Sequence, residues 1–100
     1  MPNGTLLRGR NFIVTLTNPT QEAEQLQSLF EENNVRYAFQ AEREKSGTRH
    51  YQIYLNCEQP RTCNYIRALL SKAHVEIARN AEAAKQYCTK SDTRIEGPWD

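Results

Sequence analysis

The stretch Thr48-Arg49-His50-Tyr51-Gln52-Ile53-Tyr54-Leu55-Asn56 alternates aromatic and β-branched residues with polar ones at a period of two. That period marks a β-strand. Tyr51, Ile53 and Leu55 fall on one face, which we assign to the core, and His50, Gln52, Tyr54 and Asn56 fall on the other. A His and a Gln two apart on a strand stand side by side, each offering a lone pair to a common point. That is part of a divalent-metal site. A polar face on a half-exposed strand explains the same pattern, so this segment by itself leaves both readings open.

The rest of the chain supplies neighbours for this strand. Arg10 to Thr17 alternates in the same way, with Phe12, Val14 and Leu16 on one face and Ile13, Thr15 and Thr17 on the other. Residues 1–9 read as a loose start carrying a small basic arm, Arg8 and Arg10. Asn18-Pro19-Thr20 breaks the first strand and begins a helix, with Thr20 as the predicted N-cap and Ala23, Leu26, Leu29 and Phe30 as its apolar stripe. Val35 to Glu42 reads as a second strand, and the charged turn Arg43 to Gly47 makes it a hairpin with the His50 strand. Pro60 is placed at the start of a second helix with Cys63, Ile66, Leu69 and Leu70 inward. His74 to Ala78 is a short strand, Asn80 caps a third helix running from Ala81 to about Lys90, and Thr93 to Asp100 reads as a tail with a turn at Gly97-Pro98.

The order β-α-β-β-α-β, followed by a helix, predicts an α+β fold. Its antiparallel sheet has ferredoxin-like, split βαβ topology, as in RNA-recognition folds. Two helices cover one sheet face, and the opposite face carries Thr15, Thr17, Glu42, His50 and Gln52. One hundred residues suit one domain with a single core. With 13 Lys+Arg against 12 Asp+Glu the chain is no polycation, so any nucleic-acid binding must use a local basic face. Three Cys with no C-x-x-C pair indicate neither a disulfide framework nor a zinc knuckle; a reducing compartment fits, with each Cys a small buried hydrophobe. No apolar run reaches membrane-spanning length, and no membrane partner is expected.

Antiparallel pairing of strands two and three brings Glu42 near His50. A carboxylate, an imidazole and an amide oxygen then converge, a donor set better suited to Mg²⁺ or Mn²⁺ than to zinc or copper. Glu42 also reads as an ordinary hairpin-end charge. The third helix holds Tyr87-Cys88-Thr89-Lys90, and Tyr87 and Lys90 share a helical face. Ala83 and Ala84, a turn earlier, would let a substrate approach the phenol. A tyrosine is a nucleophile when its deprotonation is assisted, and a metal beside a lysine suits phosphoryl transfer. From periodicity alone Tyr87 reads equally as a half-buried aromatic and Lys90 as a solvated tip.

Phe12-Ile13-Val14-Thr15-Leu16-Thr17-Asn18, His50-Tyr51-Gln52 and Tyr87-Cys88-Thr89-Lys90 resemble motifs I, II and III of the replication initiator (Rep) proteins of circular single-stranded DNA viruses, in the HUH endonuclease superfamily. Asp92 to Trp99 is similar to the close of that nuclease domain in the nanovirus and circovirus group. The resemblance runs in order over nearly the whole chain. It implies an endonuclease and nucleotidyltransferase that nicks and joins single-stranded origin DNA at a stem-loop. The tyrosine would form a covalent 5′-phosphotyrosine link, and the free 3′-hydroxyl would prime rolling-circle replication. Carried over by position, Tyr87 is the nucleophile and Lys90 its assistant. Glu42, His50 and Gln52 hold Mg²⁺ or Mn²⁺, and Arg10, Thr15, Thr17 and Asn18 serve DNA binding. Gln52 stands where many superfamily members have a second His, the form usual on the circovirus side. The resemblance further implies a host-cell nuclear location, and full-length members that carry a C-terminal helicase domain, not seen in this sequence, and oligomerise through it or other regions. The alternative is a non-catalytic RRM-like module with Tyr37 and Tyr54 stacking on bases, although no glycine-aromatic RNP1 stretch is present.

Overall fold

A computed structural model describes residues 7–100. Eight elements follow in order: β1 (Arg8–Thr17), α1 (Ala23–Glu32), β2 (Val35–Arg43), β3 (Arg49–Thr62), α2 (Cys63–Leu69), β4 (His74–Ile77), α3 (Ala81–Cys88) and β5 (Arg94–Trp99). All strand pairs are antiparallel, and the sheet order is β4-β1-β3-β2-β5. The first four strands in that list are the ferredoxin-like arrangement expected from the element order, and β5 extends it. No described helix is long and apolar enough to cross a membrane.

The alternation read from the sequence is what divides the two faces. Phe12, Val14, Ile53, Leu55 and Phe39 are fully buried and join Leu26 and Phe30 from α1, Ile66 from α2 and Leu70 just after it in the main core. Tyr51, bulky in the middle of the third strand, is core as expected. On the opposite face α3 lies across the sheet and places Ala84 and Cys88 against Ala38 and Tyr54 in a second, smaller cluster. The polar face of β3 is therefore buried, not half-exposed: Gln52 keeps 3% of its surface and His50 7%. Helix α3 extends no alternation within the sheet, so strand periodicity carries no sign of this cover.

Outside α3, four boundaries differ from the sequence reading. The N-cap of α1 is Glu22, not Thr20, with the Glu22 N–H donating to Gln25 Oε1 at 2.7 Å. Residues 18–21 are spent leaving β1: Asn18 turns the chain with φ 49° and donates its N–H to Arg49 O at 2.9 Å. Pro60 lies in β3, and α2 starts at Cys63, where Thr62 Oγ1 caps the Tyr65 N–H at 3.2 Å. The missing N–H of Pro60 costs no ladder bond to β1, because the pairing jumps from Asn11↔Asn56 to Gly9↔Arg61. β1 begins at Arg8, two residues before the expected start at Arg10, so the basic pair is part of a strand and not a loose arm, while residues 1–6 lie outside the described part.

The fourth difference is β5, read from the sequence as a tail. It covers the outer edge of β2 with the pairs Phe39↔Trp99, Ala41↔Glu96 and Glu42↔Arg94. Trp99 packs on the main core with its ring 5.1 Å from that of Phe39 and 6.2 Å from that of Tyr51. Gly97 sits in the shifted part of this pairing at φ +93°, where an added Cβ would meet the Trp99 ring at 3.0 Å.

Candidate active site

Two rows of cross-strand partners build the site on the α3 side of the sheet. One row is Thr17–His50–Glu42–Arg94, and the next is Thr15–Gln52–Gln40. Register alone puts these residues side by side, because the side-chain period of a strand is two. His50 Nε2 lies 3.1 Å from Glu42 Oε1, and both groups are buried. Glu42 is thus not a solvated hairpin-end charge. Its second oxygen, Oε2, accepts a hydrogen bond of 2.7 Å from Gln40 Nε2.

Gln52 is held from the β1 side. Its Nε2 donates to Val14 O at 3.3 Å and to Thr15 Oγ1 at 3.2 Å. A carbonyl only accepts, so the nitrogen end is turned toward Val14 O, while Oε1 accepts from the Thr15 hydroxyl at 3.4 Å. His50 Nδ1 is buried and has no hydrogen-bond partner among the described residues, with Glu44 Oε1 3.7 Å away. Among the described residues no three His, Cys, Asp or Glu side chains gather as a metal cluster, so the donor set is Glu42 and His50 plus an amide.

Helix α3 delivers Tyr87, and the turn after it delivers Lys90. Asn80 Oδ1 caps it by accepting the Ala83 N–H at 3.0 Å, as the sequence predicts. The helix stops at Cys88, so Lys90 lies beyond it instead of on its face. The two side chains still meet: Lys90 Nζ is 4.2 Å from the centre of the Tyr87 ring. Tyr87 is 47% exposed, whereas its neighbour Cys88 is fully buried. Ala83, one turn back, is exposed, but Ala84 is packed on the sheet and is no part of an approach to the phenol. Burial pushes the Cys88 thiol up to about 12, which keeps it a neutral packing group. Burial also raises the Tyr54 phenol.

The remaining predicted residues are dispersed. Thr15 touches Gln52, Thr17 is exposed opposite His50, and Asn18 forms the turn described above. Arg10 is at the far end of β1, roughly 20 Å from Thr17 at about 3.3 Å per residue. There it lines a cavity of about 220 Å³ with Arg36, Asn34 and Asn56. The stacking platform of a bare RRM-like sheet is missing. Tyr54 is covered by α3 and donates its hydroxyl to Asn11 Oδ1 at 2.7 Å, and the Tyr37 ring faces Phe30 and Phe39 on the core side.

Sequence reasoning assigned no role to Gln40 or Arg94. Gln40 is fully buried; its Nε2 also donates to Lys90 O at 2.6 Å, and its Oε1 accepts from Arg94 Nε at 2.8 Å. Arg94 donates a second bond to Thr89 O at 2.7 Å. The available signal was the alternation Ala38, Gln40, Glu42, which puts an amide on the same face as the carboxylate; Arg94 fell in the presumed tail.

Residues 9–91 match the family model Viral_Rep, described as "Putative viral replication protein". The chain is 35% identical over 91 residues to the master replication protein of Banana bunchy top virus, covering 89% of this chain and 30% of that protein. It is 34% identical over 88 residues to the master replication protein of Subterranean clover stunt virus, covering 86% of this chain and 29% of the relative. A third relative, Para-Rep C10 of the Milk vetch dwarf C10 alphasatellite, is 39% identical over 51 residues, 51% of this chain and 18% of that protein. The chain therefore spans about three tenths of the length of the master replication proteins it matches. Matched by the family model over residues 9–91 and 34–35% identical to master replication proteins across most of its length, this chain belongs to the viral replication protein family.

Proposed function

We propose that this domain nicks single-stranded DNA at a viral replication origin and rejoins it through a covalent link to Tyr87. The observation that carries the reading is the continuous set of bonds joining the Tyr87–Lys90 segment to the Glu42–His50 pair through Gln40, on one face of the sheet. The family match supports a replication role.

The donor chemistry fits a hard divalent cation. His50 Nε2 and Glu42 Oε1 lie 3.1 Å apart and buried, close enough that both would reach one small cation. With the Nε2 lone pair turned toward such an ion the hydrogen would sit on Nδ1, whose nearest carboxylate oxygen, Glu44 Oε1, is 3.7 Å away and not hydrogen-bonded to it. Glu42, His50 and the Gln52 oxygen would hold Mg²⁺ or Mn²⁺, which when bound polarises the scissile phosphate.

The Tyr87 hydroxyl oxygen attacks phosphorus, the P–O3′ bond breaks, the phenolic proton is lost, and a proton returns to the departing 3′ oxygen. Products are a 5′-phosphotyrosine and a free 3′-hydroxyl. Lys90 places positive charge beside the phenol ring, where it would offset the negative charge carried by the reacting groups in attack and again when Tyr87 leaves. Reversal by a 3′-hydroxyl conserves the ester energy and joins strands. In the virus, Arg10, Thr15, Thr17 and Asn18 would contact origin DNA held as a stem-loop, in the host nucleus. The test is a denaturing gel with labelled origin single strand and Mn²⁺. Wild type should form a covalent adduct, and Tyr87→Phe should bind the strand but form none. An adduct of undiminished yield in Tyr87→Phe refutes the assignment.

A further inference from the structure

Gln40 is an anomaly in the middle of β2. It is fully buried in a strand whose neighbours Phe39 and Ala41 are core, and an unpaired amide there would cost stability. Every strong hydrogen-bonding position of its amide that the structure describes is used in one direction, toward the site. One N–H goes to Glu42 Oε2 at 2.7 Å and the other to Lys90 O at 2.6 Å, while the oxygen accepts from Arg94 Nε at 2.8 Å. Arg94, paired with Glu42 in register from β5, closes the set by holding Thr89 O at 2.7 Å.

Two consequences follow. Occupying Oε2 leaves Oε1 as the carboxylate oxygen facing His50, so the amide selects which lone pairs point at the cation site. Holding the Thr89 and Lys90 carbonyls indexes the chain that follows Tyr87 against that same carboxylate. Covalent attack needs the nucleophile within a fraction of an ångström of its productive place, and such precision comes from neighbours that lock the reacting groups. We infer that Gln40, braced by Arg94, is a positioning residue that couples the Tyr87–Lys90 segment to the metal-ligating oxygen of Glu42. This rests on the reading of Tyr87 and Glu42 given above.

The test uses the 100-residue chain with Gln40→Met, Arg94→Lys, and Val35→Ala as a control for lost packing at the other end of β2. Free Mn²⁺ measured by electron paramagnetic resonance gives cation affinity without any cleavage. Single-turnover nicking at saturating Mn²⁺ gives the chemical step, and melting and strand binding are recorded alongside. Gln40→Met should bind Mn²⁺ about 10–100-fold more weakly, the usual cost of losing a partner that orients a ligand. It should also nick at least tenfold more slowly at saturation, with single-strand affinity within twofold of wild type. Arg94→Lys, whose single ammonium cannot span Gln40 Oε1 and Thr89 O as the guanidinium does, should slow nicking about tenfold. Val35→Ala should lower the melting temperature and leave Mn²⁺ affinity unchanged. A folded Gln40→Met with wild-type Mn²⁺ affinity and rate overturns the inference, as does an equal loss in Val35→Ala. Should Gln40→Met fail to fold, Arg94→Lys decides: a wild-type rate overturns the inference. A wild type that binds no Mn²⁺, or Tyr87→Phe that still forms the adduct, refutes the underlying reading instead, and is seen without either Gln40→Met or Arg94→Lys.

Discussion

Trp99→Ala should cost this domain about 3 kcal/mol. Trp99 is the last residue of β5, packed on Phe39 and Tyr51 and partly buried. A tryptophan in such a place removes about 150–250 Å² from water. At about 25 cal/mol per Å² that is about 4–6 kcal/mol, and compaction of the unfolded chain together with the retained Cβ reduces it to about 3 kcal/mol. The exposed Arg49–Glu96 ion pair, at 2.9 Å, also ties β5 down, but exposed pairs contribute only about 0–1 kcal/mol. The tryptophan therefore decides whether β5 stays on the sheet. For a domain of this size the loss corresponds to a fall in melting temperature of roughly 12–24 °C. Thermal and urea unfolding followed by far-UV circular dichroism measure it, since the variant lacks the only Trp. Because β5 carries Arg94 opposite Glu42, nicking should fall before the global transition is reached. A loss under about 1 kcal/mol would show that β5 is not held by its aromatic end, and the reasoning would fail.

Other expectations concern single groups. Lys90→Ala should slow both nicking and the joining of a labelled acceptor with a free 3′ end, more than it weakens strand binding; nicking with no exchange at any acceptor excess would refute a covalent intermediate. Tyr54→Phe removes a donor to Asn11, which keeps its bond from Asn56, so stability should fall by about 1 kcal/mol with strand affinity unchanged; a tenfold weaker complex would show that the Tyr54 hydroxyl serves strand binding. Burial holds the folded Cys88 thiol at about 12, above the ordinary thiol value of 9.0, so folding favours the neutral form. Stability from this group is complete below pH 9 and is lost as pH rises from 9 toward 12. Urea midpoints between pH 8 and 10 should therefore drop less in Cys88→Ala than in wild type, and equal slopes would contradict the burial argument.

Much of the site was legible because two periods overlap in one chain. Alternation in residues 10–17, 35–42 and 48–56 sorts core from site residues, and antiparallel hairpin pairing then brings Glu42 to His50 without any knowledge of the helices. The Asn80 cap and the Tyr87 helix are local signals as well. Lys90 came beside Tyr87 by a route the sequence misjudged, since the helix ends at Cys88 and the contact is made from the turn after it.

What the sequence by itself determined is the set of local choices: which residues face which side, where hairpins turn, and the order of elements that leads to a split βαβ sheet. Propensity and side-chain period act over a few residues, and they are written in the chain wherever it folds. What only the tertiary structure decided is what meets across long separations. Examples are α3 covering the polar sheet face, β5 pairing with the edge of β2, Pro60 falling in a gap of the ladder, and Gln40 bonded to a carbonyl fifty residues away. Those outcomes depend on burying apolar area and satisfying buried polar groups between distant segments, and neither quantity exists until the segments are packed together.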